Sequence, residues 1–212
     1  MKKGVYTEFE AEDFLKKYVP VARHVLARSE KEAEHAAQTL GFPLVLKIIS
    51  KKLVHKSDVH GVRLAKTKAD LKEEYHDLLK IAARNKLHLE GILIQEYVRG
   101  ESVLLGLKKD MVFGHVFAFG IGGIYTELLK DMSFRICPIT DKDAEEMIEE
   151  LHMKPLLFGY RGKKKIDIEF LKKIMIAVSK IPVKNPDIQE MDINPFVIND
   201  KKGAVVDARI VV

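Results

Sequence analysis

The sequence predicts a mixed α/β chain of the α+β type, folded as two lobes. Three observations carry this. Strand-like and helix-like segments alternate only loosely, and several neighbouring strands are close enough in sequence to pair antiparallel. Residues 191–209 read as a β-hairpin. Finally, 212 residues, 47% of them hydrophobic, suffice for one large domain or two small ones with a sizeable core.

Taken in order, residues 9–18 place Ala11, Phe14, Leu15 and Tyr18 at helical spacing, and Val19-Pro20 ends that helix. A strand is predicted over 21–27. Ser29 is an N-cap for a helix to Leu40, with Glu32 completing a capping box, and Gly41-Phe42-Pro43 breaks it. Leu44-Val45-Leu46-Lys47-Ile48-Ile49 is a buried-strand pattern interrupted by one lysine. A strand over 59–65 and a helix over 68–84 follow. The second half begins with strands at 91–97 and 101–108, joined by a turn at Gly100, and a third at 112–119. Gly120-Ile121-Gly122-Gly123 leads into a short segment ending near Lys130. Helices at about 141–151 and 167–180 precede the hairpin. A natural division falls near residue 90, giving predicted domains 1–90 and 91–212 with a cleft between them.

Bulk properties narrow the function. No apolar run approaches the roughly 18 residues of a membrane span, and the first residues lack the apolar core of a signal peptide. One cysteine, Cys137, excludes an internal disulfide and fits a reducing compartment. A cytoplasmic location without membrane attachment is therefore expected. The formal net charge is +5, but the lysines are mixed with acids and no arginine-rich arm interleaves with aromatics. The longest cationic runs, Lys51-Lys52 and Lys163-Lys164-Lys165, are short. Nucleic acid is not the expected ligand; attraction for anionic small molecules such as nucleotides accounts for the charge.

Five segments hold chemistry-bearing residues. Folding 191–198 against 204–209 about Asn199-Asp200-Lys201-Lys202-Gly203 brings Asn194 opposite Asp207 to within about one residue of register, with Asp192 on the face of Asn194. Such hard oxygen donors suit Mg²⁺ carrying nucleotide phosphates; equally, they suit a plain hairpin. Lys47, mid-strand among apolar neighbours, favours an anion to face. His55 and Asp58, in Val54-His55-Lys56-Ser57-Asp58-Val59, form either a phosphohistidine pair or an ordinary turn. Gln95-Glu96-Tyr97-Val98 ends an apolar strand, where an adenine can take its hydrogen bonds, and Glu101 can hold ribose hydroxyls. Gly122 and Gly123 expose backbone N–H groups suited to a phosphate, although the spacing matches neither a Walker loop nor a dinucleotide fingerprint. Arg135 is a further candidate partner for an oxyanion.

These pieces, in this order, resemble a known family. From about residue 8 onward the chain looks like the ATP-grasp β subunit of ADP-forming acetyl-CoA (acyl-CoA) synthetase, a relative of the succinyl-CoA ligase β subunit. The matching segments are Pro43-Leu44-Val45-Leu46-Lys47-Ile48, His55-Lys56-Ser57-Asp58-Val59, Glu96-Tyr97-Val98-Arg99-Gly100, Phe119-Gly120-Ile121-Gly122-Gly123, Leu129-Lys130-Asp131-Met132-Ser133-Phe134-Arg135, and Asp192-Ile193-Asn194-Pro195 with Val206-Asp207-Ala208-Arg209. The resemblance implies an ATP-grasp fold with the nucleotide in the cleft. Lys47 would meet its phosphates, Glu96 to Val98 its adenine and Glu101 its ribose. Asn194 and Asp207 would bind Mg²⁺, and Gly122-Gly123 would face a phosphoryl group. His55 matches a second phosphoryl carrier between an α-subunit phosphohistidine and ADP. The implied reaction is acyl-CoA + ADP + phosphate ⇌ acid + CoA + ATP, with the CoA chemistry on an α subunit in an α2β2 assembly. Alternative readings are a succinyl-CoA-type β subunit, a free-standing ATP-grasp ligase forming an acyl phosphate, and a nucleotide-sensing module. One position departs from the family: His60 stands where it usually reads glycine, in Asp-Val-Gly-Gly-Val.

Overall fold

The computed structural model describes residues 3–51, 53, 59–123, 131–162 and 164–212. The chain opens with β1 (Val5–Tyr6) and α1 (Glu8–Leu15). Then come β2 (His24–Ala27), α2 (Glu30–Leu40), β3 (Leu44–Ile49), β4 (Val62–Ala65), α3 (Lys68–Arg84) and β5 (Gly91–Glu96). After these follow β6 (Glu101–Asp110), β7 (Gly114–Ile121), β8 (Met132–Ile136), α4 (Asp141–Glu150) and α5 (Ile168–Ser179). The chain ends with β9 (Glu190–Ile198), β10 (Gly203–Val205) and β11 (Ala208–Val211). No described helix is long and apolar enough to cross a membrane.

Two compact units result, one of Ala22–Tyr97 and one of Met1–Val21 with Val98–Val212. The expected division near residue 90 thus differs from the observed one at both ends, and strand pairing is the reason. β5 lies between β2 and β3 in the smaller unit's four-stranded sheet, order β2-β5-β3-β4, whereas β6 pairs with β7 and β9 in the other sheet. Gly100 therefore does not turn a hairpin; residues 97–98 are a passage from one unit to the other.

In the smaller unit, period-2 strands meet period-3.6 helices. Leu44, Leu46 and Ile48 of β3 and Ile92 and Ile94 of β5 pack against Ala33, Ala36 and Ala37 of α2 and Leu71, Tyr75, Leu78 and Ala82 of α3. The alternate positions Val45, Lys47, Leu93 and Gln95 point to the opposite sheet face. Thr67 and Asp70 form a reciprocal capping box on α3. At α2 the box expected from Ser29 and Glu32 is only half made. Ser29 accepts from the Glu32 N–H at 3.2 Å, but the Glu32 carboxylate accepts from the N–H of Arg28 at 2.7 Å. The strand expected over 59–65 begins only at Val62, because His60 takes φ 55°. That is the left-handed region where glycine sits without a Cβ penalty, which explains the glycine at this place in the family pattern.

In the larger unit, the sheet order is β1-β11-β9-β6-β7-β8, with β10 also paired to β9 and every pair antiparallel. One face carries Val103, Leu105 and Leu107 of β6, Phe117 and Phe119 of β7, and Met191, Ile193, Phe196 and Ile198 of β9. These bury against Ala144, Met147 and Ile148 of α4 and Leu171, Met175 and Val178 of α5. At the β1–β11 edge, Gly4 and Val212 exchange two backbone hydrogen bonds of 3.0 Å each. β8 has no counterpart in the sequence reading. Just before it, Asp131 accepts from the backbone N–H groups of His152 (3.0 Å) and Met153 (2.8 Å), tying the strand to the end of α4.

Two stability predictions follow from these local features. His60→Val should destabilise the chain by about 1–2 kcal/mol in urea unfolding, the cost of a bulky residue in the left-handed region. His60→Gly should be neutral or slightly stabilising, since strain relief is offset by the freer unfolded chain. For Asp131, burial raises the carboxyl pKa, but the N–H donations of Met153 and His152 outweigh it, so the net shift is downward from 3.8. A depressed folded pKa stabilises above the unfolded value and loses that contribution as pH falls through the folded one. Asp131→Asn should therefore be less stable than the parent at pH 7, with the gap closing on acidification below about pH 4.

Candidate functional site

The centre of the larger unit's sheet contains a β-bulge. β6 and β9 pair as Leu107↔Met191 and Leu105↔Ile193, but the next pair is Val103↔Phe196. Asn194 and Pro195 therefore oppose Leu104 alone. Ile193 and Phe196 are three positions apart, so regular alternation would put them on opposite faces; the extra residue lets both enter the same core at 0% exposure. Proline, lacking an N–H, is tolerated in a central strand at such a point.

On the other side of β9 no residue is gained. Val205↔Phe196 and Ala208↔Ile193 flank the bulge, so Asn194 lies directly opposite Asp207. The Asn194 N–H donates to the Asp207 carbonyl at 3.1 Å, and the Val206 N–H to the Pro195 carbonyl at 3.2 Å. The register inferred from the hairpin is thus met.

The glycine turn after β7 reaches this point from 71 residues away. The Gly122 N–H donates to the Ser102 carbonyl at 2.8 Å, and the Gly123 N–H to Asn194 Oδ1 at 3.1 Å. A Cβ on Gly122 would come within 2.8–3.0 Å of the Val103 backbone, so the close approach admits only glycine; Gly123 has φ 73°. The Gly123 N–H, expected to serve a phosphate, instead orients the Asn194 side chain.

Asp192 stands cross-strand from Arg209 on one side and Gly106 on the other. It lines a hollow of about 420 Å³ with Leu104, Gly106, Ala118, Met132 and Phe134. Burial and the nearby Glu190 push its carboxyl pKa up, with Arg209 opposing them. The donor set fits a hard divalent cation. Asn194 Oδ1 keeps a second lone pair beyond the one facing Gly123, Asp207 is its direct cross-strand neighbour, and a cation beside Asp192 would favour its charged form. Among the described residues no three or more His, Cys, Asp and Glu converge as a metal cage. Mg²⁺ keeps waters and phosphate oxygens for most of its ligands and asks for only one or two protein oxygens.

In the smaller unit, Lys47 is 5% exposed and Gln95 1%. Register sets Lys47 opposite Leu93 and Val45 opposite Gln95, so the two polar side chains are diagonal neighbours on the face away from α2 and α3. Glu96 accepts from the backbone N–H of Arg23 at 3.0 Å and from its Nε at 2.8 Å. The N–H of Glu96 donates to the Arg23 carbonyl at 2.9 Å, and that of Tyr97 to the Pro43 carbonyl at 3.2 Å. These groups fix the path of the chain toward Val98. Tyr97 itself is 44% exposed. In the larger unit, Glu101 starts β6 opposite Ile198, half-buried.

Arg135 does not join this group. It pairs with Phe117, and Ser133 with Phe119, so both side chains project to the helix-covered face, whereas Asp192 is on the other. There the guanidinium bonds Glu150 at 2.5 Å and meets Glu146 at 3.4 Å and Asp143 at 3.9 Å, all on α4. Its expected contact with a reacting oxyanion is replaced by this brace between β8 and α4. His55 and Asp58 lie outside the described residues.

Comparison with known proteins decides the family. An ATP-grasp domain family matches residues 1–212. The chain is 39% identical over 209 residues to the β subunit of acetate–CoA ligase (ADP-forming) I of Pyrococcus furiosus, covering 96% of this chain and 90% of that one. The chain belongs to the ATP-grasp family of ADP-forming acetyl-CoA synthetase β subunits. This ATP-grasp chain is also 41% identical over 196 residues to acetate–CoA ligase (ADP-forming) I of Archaeoglobus fulgidus, but spans only 29% of that longer protein. Among solved structures, acetyl-coenzyme A synthetase 1 of Candidatus Korarchaeum cryptofilum with coenzyme A and Ca-AMPCP superposes at TM-score 0.94, with 41% identity over 98% of this chain and 93% of that one. A further structure of that synthetase holds Mg-AMPPCP, with a phosphohistidine segment pointing towards the nucleotide-binding site (TM-score 0.86, 38% identity, 98% and 92% covered).

Sequence reasoning missed three residues that hold candidate residues in place: Arg23, which holds Glu96; Ser102, which anchors Gly122; and Arg209, cross-strand from Asp192. The cross-strand neighbour of Asp192 was readable from the hairpin register, since Arg209 follows Asp207 by two. Arg23 and Ser102 act through contacts remote in sequence, and no local pattern marks them. Gly122→Ala should force the turn off Val103 and lower unfolding stability by about 1–3 kcal/mol, an overpacking cost, measured by thermal or denaturant unfolding.

Proposed function

We propose that this ATP-grasp chain is the nucleotide-binding subunit of an ADP-forming acyl-CoA synthetase, catalysing acyl-CoA + ADP + phosphate ⇌ acid + CoA + ATP with an α subunit. The observation that carries the reading is Asn194 set against Asp207 on the bulge and oriented by Gly123, in a chain whose Pyrococcus relative is a β subunit of such a ligase. Mg²⁺, when bound, would neutralise and align the nucleotide phosphates; Asn194 and Asp207 would hold it.

The chain's own residues then have distinct tasks. Lys47, buried among apolar neighbours, offsets phosphate charge that water does not screen. Glu96, Tyr97 and Val98 form the adenine hinge, whose path Arg23 fixes, and Glu101 takes the ribose. The Gly122-Gly123 turn acts on the phosphoryl group mainly through Asn194. His55 accepts the phosphoryl group from an α-subunit phosphohistidine and passes it to ADP, with Asp58 orienting the imidazole. In that last step the P–N bond breaks, its electron pair returns to the ring nitrogen, a P–O bond forms to a terminal ADP oxygen, and His55 is left as a neutral imidazole with the proton on its other ring nitrogen. Two short transfers suit a donor and acceptor too far apart for one in-line step. Positioning and charge neutralisation supply most of the rate, as phosphoryl transfer requires. The α subunit carries the CoA chemistry, in an α2β2 assembly.

Isolated, the chain should bind Mg-ADP by calorimetry yet make no acyl-CoA, and adding the α subunit should give turnover. Asp207→Ala should weaken Mg-ADP binding at least tenfold with little effect on ADP alone. With labelled phosphate and acetyl-CoA, acid-labile label should appear on His55 and vanish in His55→Ala. ATP-dependent ligation by the isolated chain would overturn the two-subunit reading, and normal relay by His55→Ala would remove the carrier role.

A further inference from the structure

We infer that the loop over residues 158–165 and the turn over 199–202 form one docking surface for an acidic face of the α subunit; this rests on the β-subunit reading above. The two segments are joined at their bases. The Ile166 N–H donates to the Leu157 carbonyl and the Asp167 N–H to the Asn199 carbonyl, both at 3.0 Å, and Lys164 Nζ meets Asp200 at 2.9 Å.

Charge collects there. Residues 158–166 contain Arg161, Lys163, Lys164 and Lys165 and no acid, and residues 199–203 add Lys201 and Lys202 against Asp200. Their excess of five positive charges equals the formal net charge of the whole chain, +5, so the remaining residues balance. Of these cations, the described Arg161, Lys164, Lys165, Lys201 and Lys202 lie on two segments that the fold joins at their bases.

The surface is built for a macromolecule. Every described residue from 158 to 165 is exposed, as are Asp200, Lys201 and Lys202. Tyr160 is 49% exposed and Phe158 39%. The Arg161 guanidinium stands 5.4 Å from the Tyr160 ring centre, and Lys165 Nζ 4.9 Å from that of Phe158. Arg161 is carried at φ 50°, a conformation a smaller residue would adopt at lower cost. Arginine with exposed aromatics is the composition of protein interfaces, and stacking keeps the cations ordered without neutralising them. The cations project from a loop and a turn, and none of them lines the hollow beside Asp192. The turn also begins five residues along the chain from Asn194, roughly 16 Å at strand rise, beyond a Debye length of about 8 Å. A partner face, not a nucleotide phosphate at the metal site, is therefore what this charge addresses.

The test is assembly kinetics. The combined variant Arg161→Glu, Lys201→Glu, Lys202→Glu and the wild-type chain are each mixed with the cognate α subunit in about 50 mM and about 300 mM salt, and association is followed by stopped flow. Wild-type association should slow with salt, and the reversed variant should associate at least tenfold more slowly at low salt, the gap narrowing at high salt. Its Mg-ADP affinity and melting temperature should match wild type, which excludes misfolding. Equal association rates for the two chains would overturn the inference and leave the proposed function intact. No binding of the α subunit by the wild-type chain, with Mg-ADP still bound, would overturn the two-subunit reading and this surface with it. Wild-type retardation of an RNA or DNA duplex that the reversal abolishes, with assembly unchanged, would reassign the surface to nucleic acid.

Discussion

One extra residue in β9 sets the geometry on which the larger unit depends. The sheet must present Met191 and Ile193, then Phe196 and Ile198, to the same helices, and no regular strand does that. The bulge at Asn194-Pro195 resolves the conflict. It also leaves Asn194 in the irregular stretch, facing the turn after β7, with Asp207 directly across from it. Core packing and the Asn194–Asp207 pairing are thus set by a single register shift. Deleting one residue there would move either the donors or the core to the wrong face.

The sheet's two faces divide the remaining work. On the helix side, Ser133 and Arg135 are tied to Glu150, bracing β8 to α4, and Lys172 of α5 reaches Asp141 of α4 at 2.9 Å, bracing helix to helix. On the other side stand Asp192, Leu104 and Met132 around the hollow. A carboxylate whose burial raises its pKa is costly by itself and becomes favourable once a cation adjoins it.

How much of this was legible depended on whether the signal was local. The closing hairpin was readable because β-branched runs flank a polar turn, and it gave the Asn194–Asp207 register. The ATP-grasp resemblance was legible in the order of short motifs. The helices over 68–84 and about 141–151 were legible as segments, and the structure adds their capping boxes, Thr67 with Asp70 and Thr140 with Asp143. What escaped was non-local. β8 is five residues whose alternation mixes Met132, Phe134 and Ile136 with Ser133 and Arg135, so its pattern is apolar on the face that stays half open. The unit boundary escaped because β5 pairs backward to β2 and β3, not forward to β6. Gly123's partner lies 71 residues ahead. Arg135 looked like an anion ligand because its three carboxylates are eleven or more positions away on a helix, or nearly so in Asp143, eight residues on. His60 was legible as a departure from the family, and its φ supplied the reason.

The two hydrogen bonds between Gly4 and Val212 bring the described ends of the larger unit onto one sheet edge. Entry and exit coincide there, separated by a strand spacing of about 5 Å. A polypeptide running into this module and out again would need no spanning linker, and its tethers would leave side by side. Gene fusion is then geometrically undemanding, which accords with the Archaeoglobus relative, where the matching segment is 29% of a longer protein. Fused or separate, the module's β1–β11 edge is where neighbouring sequence can be attached without touching β9.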